Sequence, residues 1–335
     1  MARRFEGTPR QYGIHASGIL IMPMPVNVLF PTRKAKDGTT VTIYTGEQLE
    51  ELKAIKFDIL GLKTLTIIKN TLKHIDPNLT FDDLYQMVDV NDPNIYKMIC
   101  NKETDALFQL ESNLFKGVIG DIQPDTLEDI IAITSMCRPG PLSAGMHLAY
   151  ARRKRGEEEA TPPLPGIDDI VGKTFGTIIY QEQCMLIAQK VAGFDDNQAD
   201  SYLRKALAKK KKDKMDICRQ WFIYGKKNEE PPAEYDPENK NQPYYDPEGK
   251  HGAPIKGGVN NGYKEEDLAN FWSKLEGYAS YLFNKSHAAT YSYTTLLTAY
   301  LKCYYPTEFM AAVLSMQEDD KSIAYYMKIC DEMGI

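Results

Sequence analysis

Residues 55–68 have the sequence IKFDILGLKTLTII, and the hydrophobic pattern of the chain changes within this stretch. Residues 55–61 form a short, mainly apolar run that ends at a glycine, which is typical of a β-strand. From Leu65 onward, apolar residues recur three and four positions apart, which indicates an amphipathic helix. We therefore expect a strand-rich part before residue 62 and a mainly helical part after it.

The segments on either side of this junction indicate an α+β fold. Three further short runs, residues 18–22, 26–30 and 39–44, are apolar or β-branched and are predicted to be strands. Helices are predicted at residues 94–100, 113–119, 127–136, 181–192, 199–214, 265–283, 286–304 and 307–316. The predicted fold class is therefore α+β, with a small β-containing part at residues 1–62 and a large, mainly α-helical part at residues 63–316.

Two segments differ from this pattern. Residues 226–262 hold prolines, glycines and charged residues but almost no aliphatic ones. Such a segment has too little apolar surface to offset its ordering entropy, so we expect a loop-like or disordered insertion between two helices. Residues 317–335 are expected to begin a further helical segment.

The composition narrows the class of protein. Lys and Arg total 40 and Asp and Glu total 46, a net charge of −6, which excludes an overall basic nucleic-acid coat protein but not a local basic stripe. The six cysteines form no C-x-x-C pair, as expected in a reducing compartment. Neither a signal sequence nor an apolar run long enough to span a bilayer is present, so we expect a cytoplasmic protein without a membrane partner.

The densest charge feature is residues 204–214, RKALAKKKKDK, with seven basic residues and one acidic residue. If the segment is one helix, residues 205, 209 and 212 share a face. A positive stripe of this kind suits a phosphate-rich ligand, because Lys and Arg neutralise phosphates and release counterions. The alternative is a solvated helix end that the helix dipole stabilises.

Two other arginine-containing segments are candidates for phosphate contacts. Residues 152–155 are all basic, but residues 157–159 are all glutamates that could neutralise them, so a solvated turn is at least as good an explanation. Arg138 comes just after a predicted helix and just before the sequence PGPL, whose rigid backbone would aim its guanidinium.

Asp58 is an acidic residue inside an apolar, strand-like run, and Lys56 lies on the same side of the pleat. A buried carboxylate needs a partner, which is either a cation or a metal ion. A structural pair between Lys56 and Asp58 is therefore an open alternative to a metal site. One carboxylate does not make a magnesium site, because two-metal chemistry needs several oxygen ligands.

Residues 284–287, NKSH, precede a helix rich in Thr and Tyr. Asn284 or Ser286 could cap this helix, and Lys285 and His287 would then lie near a helix N-terminus, which is an anion site. The alternative is an ordinary helix cap.

Six blocks along the chain together resemble one known family. They lie, in order, at residues 10–23, 55–68, 104–112, 138–142, 180–206 and 283–289. In sequence and order they are similar to the bacterial C-family replicative DNA polymerase, the DNA polymerase III alpha subunit. The resemblance covers the late palm and the fingers of that polymerase.

The resemblance implies roles for particular residues. Asp58 would be a metal-binding carboxylate of the palm, with Lys56 beside it near the incoming triphosphate. Arg204 and Lys205 match a basic pair on the fingers that grips the triphosphate, although Lys205 takes a place often held by arginine. The remaining residues expected near the nucleotide are Asn284, Lys285, Ser286 and His287. The residues expected to contact DNA are Arg10, His15, Arg138, Arg153, Lys154, Lys209, Lys210, Lys211 and Lys212.

The implied chemistry is nucleotidyl transfer with two magnesium ions, in which the primer 3′-hydroxyl attacks a deoxynucleoside triphosphate on primer–template DNA. The family's P-D-x-D-x-D-F motif, its glycine–serine phosphate loop and its clamp-binding segment do not occur here. We therefore expect no polymerase activity from this chain alone, a companion chain that supplies the other aspartates, and contact with a sliding clamp only through segments absent here. The alternatives are a non-catalytic DNA- or nucleotide-binding module and a decayed fragment.

Overall fold

The computed structural model describes residue 8 and residues 13–209 and 212–335. The chain divides into two compact units, Met1–Leu65 and Thr66–Ile335. The first contains short strands and short helices, and the second is mainly helical. The α+β class is therefore confirmed. No helix among the described residues is both long enough and apolar enough to cross a membrane.

Two antiparallel strand pairs form the first unit. The strands at residues 18–21 and 55–58 pair with each other, and the strands at residues 32–34 and 40–42 form the second pair. The elements are β1 (Gly18–Ile21), α1 (Val26–Leu29), β2 (Thr32–Lys34), β3 (Thr40–Thr42), α2 (Gly46–Glu51) and β4 (Ile55–Asp58). The strands predicted at residues 18–22, 39–44 and 55–61 are confirmed with shorter bounds. The strand predicted at residues 26–30 is wrong, because that run closes a helical turn in which Phe30 N donates to Val26 O.

The helices of the second unit follow one another along the chain, and the longest connection between them is the one that contains residues 226–262. They are α3 (Lys63–Ile75, which begins in the first unit), α4 (Phe81–Met87), α5 (Pro93–Cys100), α6 (Asn113–Ile122), α7 (Leu127–Met136), α8 (Pro139–Ser143), α9 (Met146–Lys154), α10 (Asp168–Val171), α11 (Gln181–Ile187), α12 (Asp196–Gln198), α13 (Lys205–Lys209), α14 (Lys212–Ile223), α15 (Glu265–Tyr278), α16 (Lys285–Tyr304), α17 (Pro306–Ser315) and α18 (Asp320–Met333).

Two hydrophobic cores hold this unit together. The first core includes buried side chains of α5, α6, α7, α16 and α17. The second lies around Trp221 and Phe222 of α14 and Phe271 and Trp272 of α15. Among the places where the chain passes from one core to the other are residues 178–180 and residues 282–283. These two crossings lie side by side and position the site described below.

The helix predicted at residues 199–214 is helical along its described residues, but it is not an α-helix throughout. A π-helix at Ala199–Arg204 leads into α13, and the next helix along the described residues is α14. A π-helix has wider turns than an α-helix, so the 3.6-residue spacing does not extend across Arg204. The shared face of residues 205, 209 and 212 stays a prediction, because residues 210 and 211 lie outside the described part of the chain. Ala206 and Leu207 anchor α13 in the second core.

Residues 226–262 form an ordered loop with a polar centre. Lys226, in the short strand β5 (Lys226–Lys227), is fully buried, and its Nζ donates to Gly252 O at 2.6 Å and lies 3.2 Å from Asp246 Oδ2. The loop packs so closely that a Cβ on Gly257 would lie 2.3 Å from Gly225 N. The segment lies between two helices, and it is held by buried polar contacts that its low aliphatic content does not reveal. Its other strand is β6 (Tyr244–Tyr245).

Candidate functional site

The site lies where two chain segments form a short parallel bridge at Tyr180 and Phe283. Gln181 N donates to Phe283 O at 2.9 Å, and Phe283 N donates to Ile179 O at 3.0 Å. Tyr180 immediately precedes α11, and Phe283 lies just before α16. The bridge therefore holds the N-terminal ends of two helices next to each other.

Asn284 caps α16, and a carboxylate already occupies the helix N-terminus. Asn284 Oδ1 accepts from His287 N at 2.8 Å and from Ser286 Oγ at 3.1 Å. Lys285 N donates to both carboxylate oxygens of Glu182, at 3.0 and 2.9 Å. Asn284 is therefore an ordinary helix cap, which was one of the two alternatives for this segment. Sequence patterns could not predict that Glu182 is the anion at this helix N-terminus, because Lys285 lies about a hundred residues further along the chain.

Internal acids also engage the cations of this junction. Lys285 Nζ lies 3.0 Å from Glu128 Oε2 and 5.3 Å from the centre of the Tyr180 ring. Arg204 Nε donates to Asp200 Oδ1 at 2.6 Å. The pKa of Arg204 is raised, first by this hydrogen bond and, to a smaller extent, by the charge of Glu182. Arg204 and Lys285, which the resemblance assigns to the nucleotide, are thus both within electrostatic reach of Glu182.

The rigid segment after α7 holds Arg138 in a fixed direction. Its Nε donates to Ser135 O at 3.0 Å and its Nη2 donates to Tyr281 O at 2.7 Å. The guanidinium carbon lies 4.4 Å from the centre of the Phe283 ring. Burial lowers the pKa of Arg138. A Cβ on Gly140 would lie 2.4 Å from Cδ1 of Tyr281, so this glycine permits the approach that places the Tyr281 carbonyl.

Aromatic rings continue from Phe283 along α16. The ring centres of Phe283 and His287 are 5.6 Å apart, those of His287 and Tyr291 are 4.3 Å apart, and those of Tyr291 and Phe108 are 5.3 Å apart. With Arg138, the rings of Phe283, His287 and Tyr291 border a cavity of about 290 Å³. The structure therefore brings Arg138 and His287, predicted separately for DNA and for the nucleotide, into one cavity.

A second cavity, of about 570 Å³, lies on the other side of the bridge. Tyr180, Glu182 and Lys285 line it, together with the ion pair between Lys190 Nζ and Asp169 Oδ1 at 2.6 Å. Its walls carry both signs of charge. The described residues that line the first cavity include no Asp or Glu. The first cavity is therefore the better match to a phosphate-bearing or electron-rich ligand.

The helix that carries Lys205 lies near Arg138. Helix α13 packs against the 3₁₀ turn Ala279–Tyr281, which also packs against α8 and supplies the carbonyl that holds Arg138. Lys205 on α13 and Lys212 at the start of α14 are exposed. The side chain of Lys209 is not among those described, and Arg10, Lys210 and Lys211 lie outside the described residues.

Arg153 and Lys154 lie on α9 and have intramolecular partners. Arg153 Nε donates to Glu158 Oε1 at 2.8 Å. Lys154 Nζ lies 2.8 Å from Asp125 Oδ1 and 2.7 Å from Asp129 Oδ2. A DNA contact would have to break these ion pairs, so the DNA role of both residues stays a prediction that their surroundings do not favour.

Asp58 lies in the first unit and faces solvent. Its Oδ2 is 3.2 Å from Lys56 Nζ, and its Oδ1 is 3.8 Å from His15 Nδ1. The pair of Lys56 and Asp58 that the sequence left as an alternative is present. The premise that Asp58 is buried is wrong, because every residue of β4 is exposed in a ribbon of only two strands.

The described residues do not assemble a magnesium site. Among residues 8, 13–209 and 212–335, no group of three or more His, Cys, Asp or Glu side chains could hold a metal ion. Asp58 offers one carboxylate beside a lysine, whereas a two-metal centre needs several shared oxygen ligands. The residues present therefore do not by themselves fit the pair of ions that the resemblance implies.

Comparison with known proteins identifies the class. A family described as the bacterial DNA polymerase III alpha subunit finger domain matches residues 64–230, and one described as the bacterial DNA polymerase III alpha NTPase domain matches residues 1–61. The chain is 36% identical over 327 residues to the DNA polymerase III subunit alpha of Aquifex aeolicus, covering 98% of this chain and 25% of that protein.

Two further relatives give the same result. The DNA polymerase III subunit alpha of Campylobacter jejuni is 35% identical over all of this chain and 25% of its own length, and that of Pseudomonas aeruginosa is 36% identical over 96% of this chain and 26% of its own. The chain therefore belongs to the bacterial DNA polymerase III alpha subunit family. It spans about a quarter of the length of the curated relatives that it matches.

Proposed function

We propose that this chain is part of the catalytic subunit of a replicative DNA polymerase, which adds deoxynucleoside monophosphates to a primer 3′-end on template DNA. The observation that carries the proposal is the similarity to DNA polymerase III alpha subunits along nearly the whole chain. The cavity beside Arg138, with a cation, stacked rings and no acid among its described lining residues, supports it.

In this proposal the helical unit holds the nucleotide and the DNA. Arg204 and Lys205 would neutralise the triphosphate, with Lys205 acting as a point charge and not as a bidentate fork. Arg204 would exchange its hydrogen bond with Asp200 for one to a phosphate oxygen. Cations placed where charge accumulates on the leaving pyrophosphate lower the barrier to the attack of the primer hydroxyl on the α-phosphorus. The lysines around Lys212 would contact the DNA backbone.

In the first unit, Asp58 and Lys56 would contribute to a reaction centre that needs further carboxylates. Magnesium, when bound in such a centre, makes the primer hydroxyl a better nucleophile. We assign no step to Asp58 alone, because its surroundings hold one carboxylate and a lysine at 3.2 Å. The other carboxylates would come from outside the 335 residues, either from a companion chain or from another part of a longer polypeptide, as would any contact with a sliding clamp.

Primer extension tests this proposal. The 335-residue chain with magnesium, a primed template and deoxynucleoside triphosphates is expected to give no incorporation. Adding the preceding region of a relative, which supplies further carboxylates, is expected to produce incorporation that Asp58→Asn abolishes. The exposed Asp37 of the same unit gives a matched control, Asp37→Asn, which should retain it. Incorporation by the chain alone that is lost in Asp58→Asn would show that no companion is needed, and incorporation that survives Asp58→Asn would contradict the role of Asp58.

A non-catalytic DNA- or nucleotide-binding module is the second candidate. The absence of a metal-ligating cluster among the described residues favours it. The two candidates predict different results for the supplemented chain. Binding to DNA that weakens steeply with salt, without incorporation even after the other region is added, would select the second candidate.

A further inference from the structure

Gln109 occupies a strained position at the edge of the first cavity. Its φ is +63°, in the left-handed region that residues with a side chain rarely adopt. Such a conformation costs free energy and persists only where the surrounding structure imposes it. Here α16 imposes it, because Thr298 Oγ1 accepts from Phe108 N at 3.1 Å and Thr295 Oγ1 donates to Phe108 O at 3.1 Å.

The residues beside Gln109 show what this turn achieves. Leu107 and Leu110 are buried in the first core, with 1% and 0% of their surface exposed. Gln109 between them is exposed and lines the cavity. Its side-chain amide forms no hydrogen bond with another described residue. The backbone turn thus presents a free donor and a free acceptor at the edge of the ring stack.

The opposite side of the cavity offers a cation and open ring faces. Arg138 is half-buried, and no described Asp or Glu forms an ion pair with it. A guanidinium in this state gains from a ligand with an electron-rich face or an anion. His287 is exposed on the stack between Phe283 and Tyr291. Rings and guanidinium planes of this kind are the groups on which unpaired bases stack.

We propose that the cavity bordered by Gln109, Arg138, His287 and Tyr291 binds an unpaired nucleobase, and that the Gln109 amide hydrogen-bonds to the edge of that base. Stacking supplies affinity for any base, whereas the amide contacts its polar edge. The base comes either from a single DNA strand or from a free nucleotide. The inference rests on the proposed DNA function, and it adds a residue and a ligand group to the helical unit.

Fluorescence of 2-aminopurine provides the test, since stacking on a ring quenches it. The 335-residue chain is titrated into a single-stranded oligonucleotide with one central 2-aminopurine, into the same oligonucleotide with an abasic site at that position, and into 2-aminopurine deoxynucleoside triphosphate. Affinities for the two oligonucleotides are compared by anisotropy of an end label. We expect quenching, and at least about fivefold tighter binding of the base-containing strand, since stacking contributes about 1–3 kcal/mol per base. Quenching of the triphosphate alone would assign the base to the free nucleotide.

Variants of Gln109 separate a ligand contact from a structural role. Gln109→Leu is expected to lower the affinity for the base-containing strand about three- to tenfold and to leave the affinity for the abasic strand unchanged. Gln109→Gly should lose the same contact while its melting temperature stays equal or rises, because glycine adopts a positive φ without strain. Gln123 is a matched control, since it has a φ of +52° but its Nε2 donates to Gly120 O at 3.2 Å. Gln123→Leu should not change the preference for the base-containing strand.

The outcomes distinguish this inference from the proposed function. The two oligonucleotides could bind equally well, with no quenching of the 2-aminopurine oligonucleotide or of the 2-aminopurine triphosphate. That result would overturn the proposal of a base pocket and would leave the proposal of DNA binding intact. Binding of neither oligonucleotide, at low salt, counts against DNA binding by the chain and against the pocket as well. A fall in melting temperature for Gln109→Gly with no change in affinity would show that Gln109 has only a structural role.

Discussion

Replacing Gly140 by alanine tests how Arg138 is held. The added Cβ would lie 2.4 Å from Cδ1 and 2.5 Å from Cε1 of Tyr281, where contacts below 3.0 Å do not occur. The tyrosine must therefore move, and its carbonyl is the acceptor 2.7 Å from Arg138 Nη2. Overpacking costs about 1–3 kcal/mol. Because Tyr281 is only half-buried, its ring can shift toward solvent, and we expect a loss of about 1–2 kcal/mol in the free energy of unfolding.

Urea denaturation followed by circular dichroism measures this loss, and anisotropy with a labelled oligonucleotide measures the effect on DNA binding. Gly277→Ala is the matched control, because Gly277 lies within α15 and a Cβ there meets nothing within 4 Å. That variant should be as stable as the parent or more so, by up to about 1 kcal/mol. If Gly140→Ala had the stability and the DNA affinity of the parent, Tyr281 would not be positioning Arg138 and the reasoning would fail.

Three other predictions concern buried groups. Lys226→Met leaves Asp246 buried without its cation and should lower the free energy of unfolding by about 3–5 kcal/mol, as measured by urea denaturation. A double variant that also removes the Asp246 carboxylate should regain part of the lost stability. Burial works to raise the pKa of Asp129, but hydrogen bonds, led by that from Lys154, outweigh it and hold the pKa below 3.8. This stabilisation is therefore present above pH 3.8 and is lost as the pH falls through the lower folded value, and Asp129→Asn should reduce the acid sensitivity of the melting temperature. Burial raises the pKa of Cys218 to about 12, so a thiol reagent at pH 8 should label it only after unfolding, and rapid labelling of the folded chain would contradict its burial.

Hydrophobic spacing and turn residues in the sequence predicted those helices and strands that depend mainly on contacts between residues close together in the chain. The helix at residues 127–136 and the strand that carries Asp58 follow from spacing and from the flanking turn residues. The π-helical stretch at Ala199–Arg204 could not be predicted, because its wider turns are stabilised by packing in the second core and not by residue type. Helix α9 was not predicted, because its apolar spacing is weak and its ends are fixed by ion pairs such as that of Lys154 with Asp129.

The candidate site shows the same division. The sequence indicated Arg138 and the block at residues 284–287 as separate features, since each has a local signature. Their joint cavity depends on a bridge between residues a hundred positions apart, and the role of Glu182 depends on that bridge as well. The apparent burial of Asp58 was inferred from its apolar neighbours, but those neighbours are themselves exposed on a narrow ribbon.

The carboxylate of Glu182 at the start of α16 has a consequence for salt titrations. With Asp200 and Glu128 it already serves as the counter-charge of Arg204 and Lys285. When an anion replaces these partners, the exchange is internal and releases few bound solution ions. The slope of DNA affinity against salt concentration should therefore reflect only those lysines that solvent ions neutralise. This slope should be shallower than the one expected from all seven basic residues of the segment.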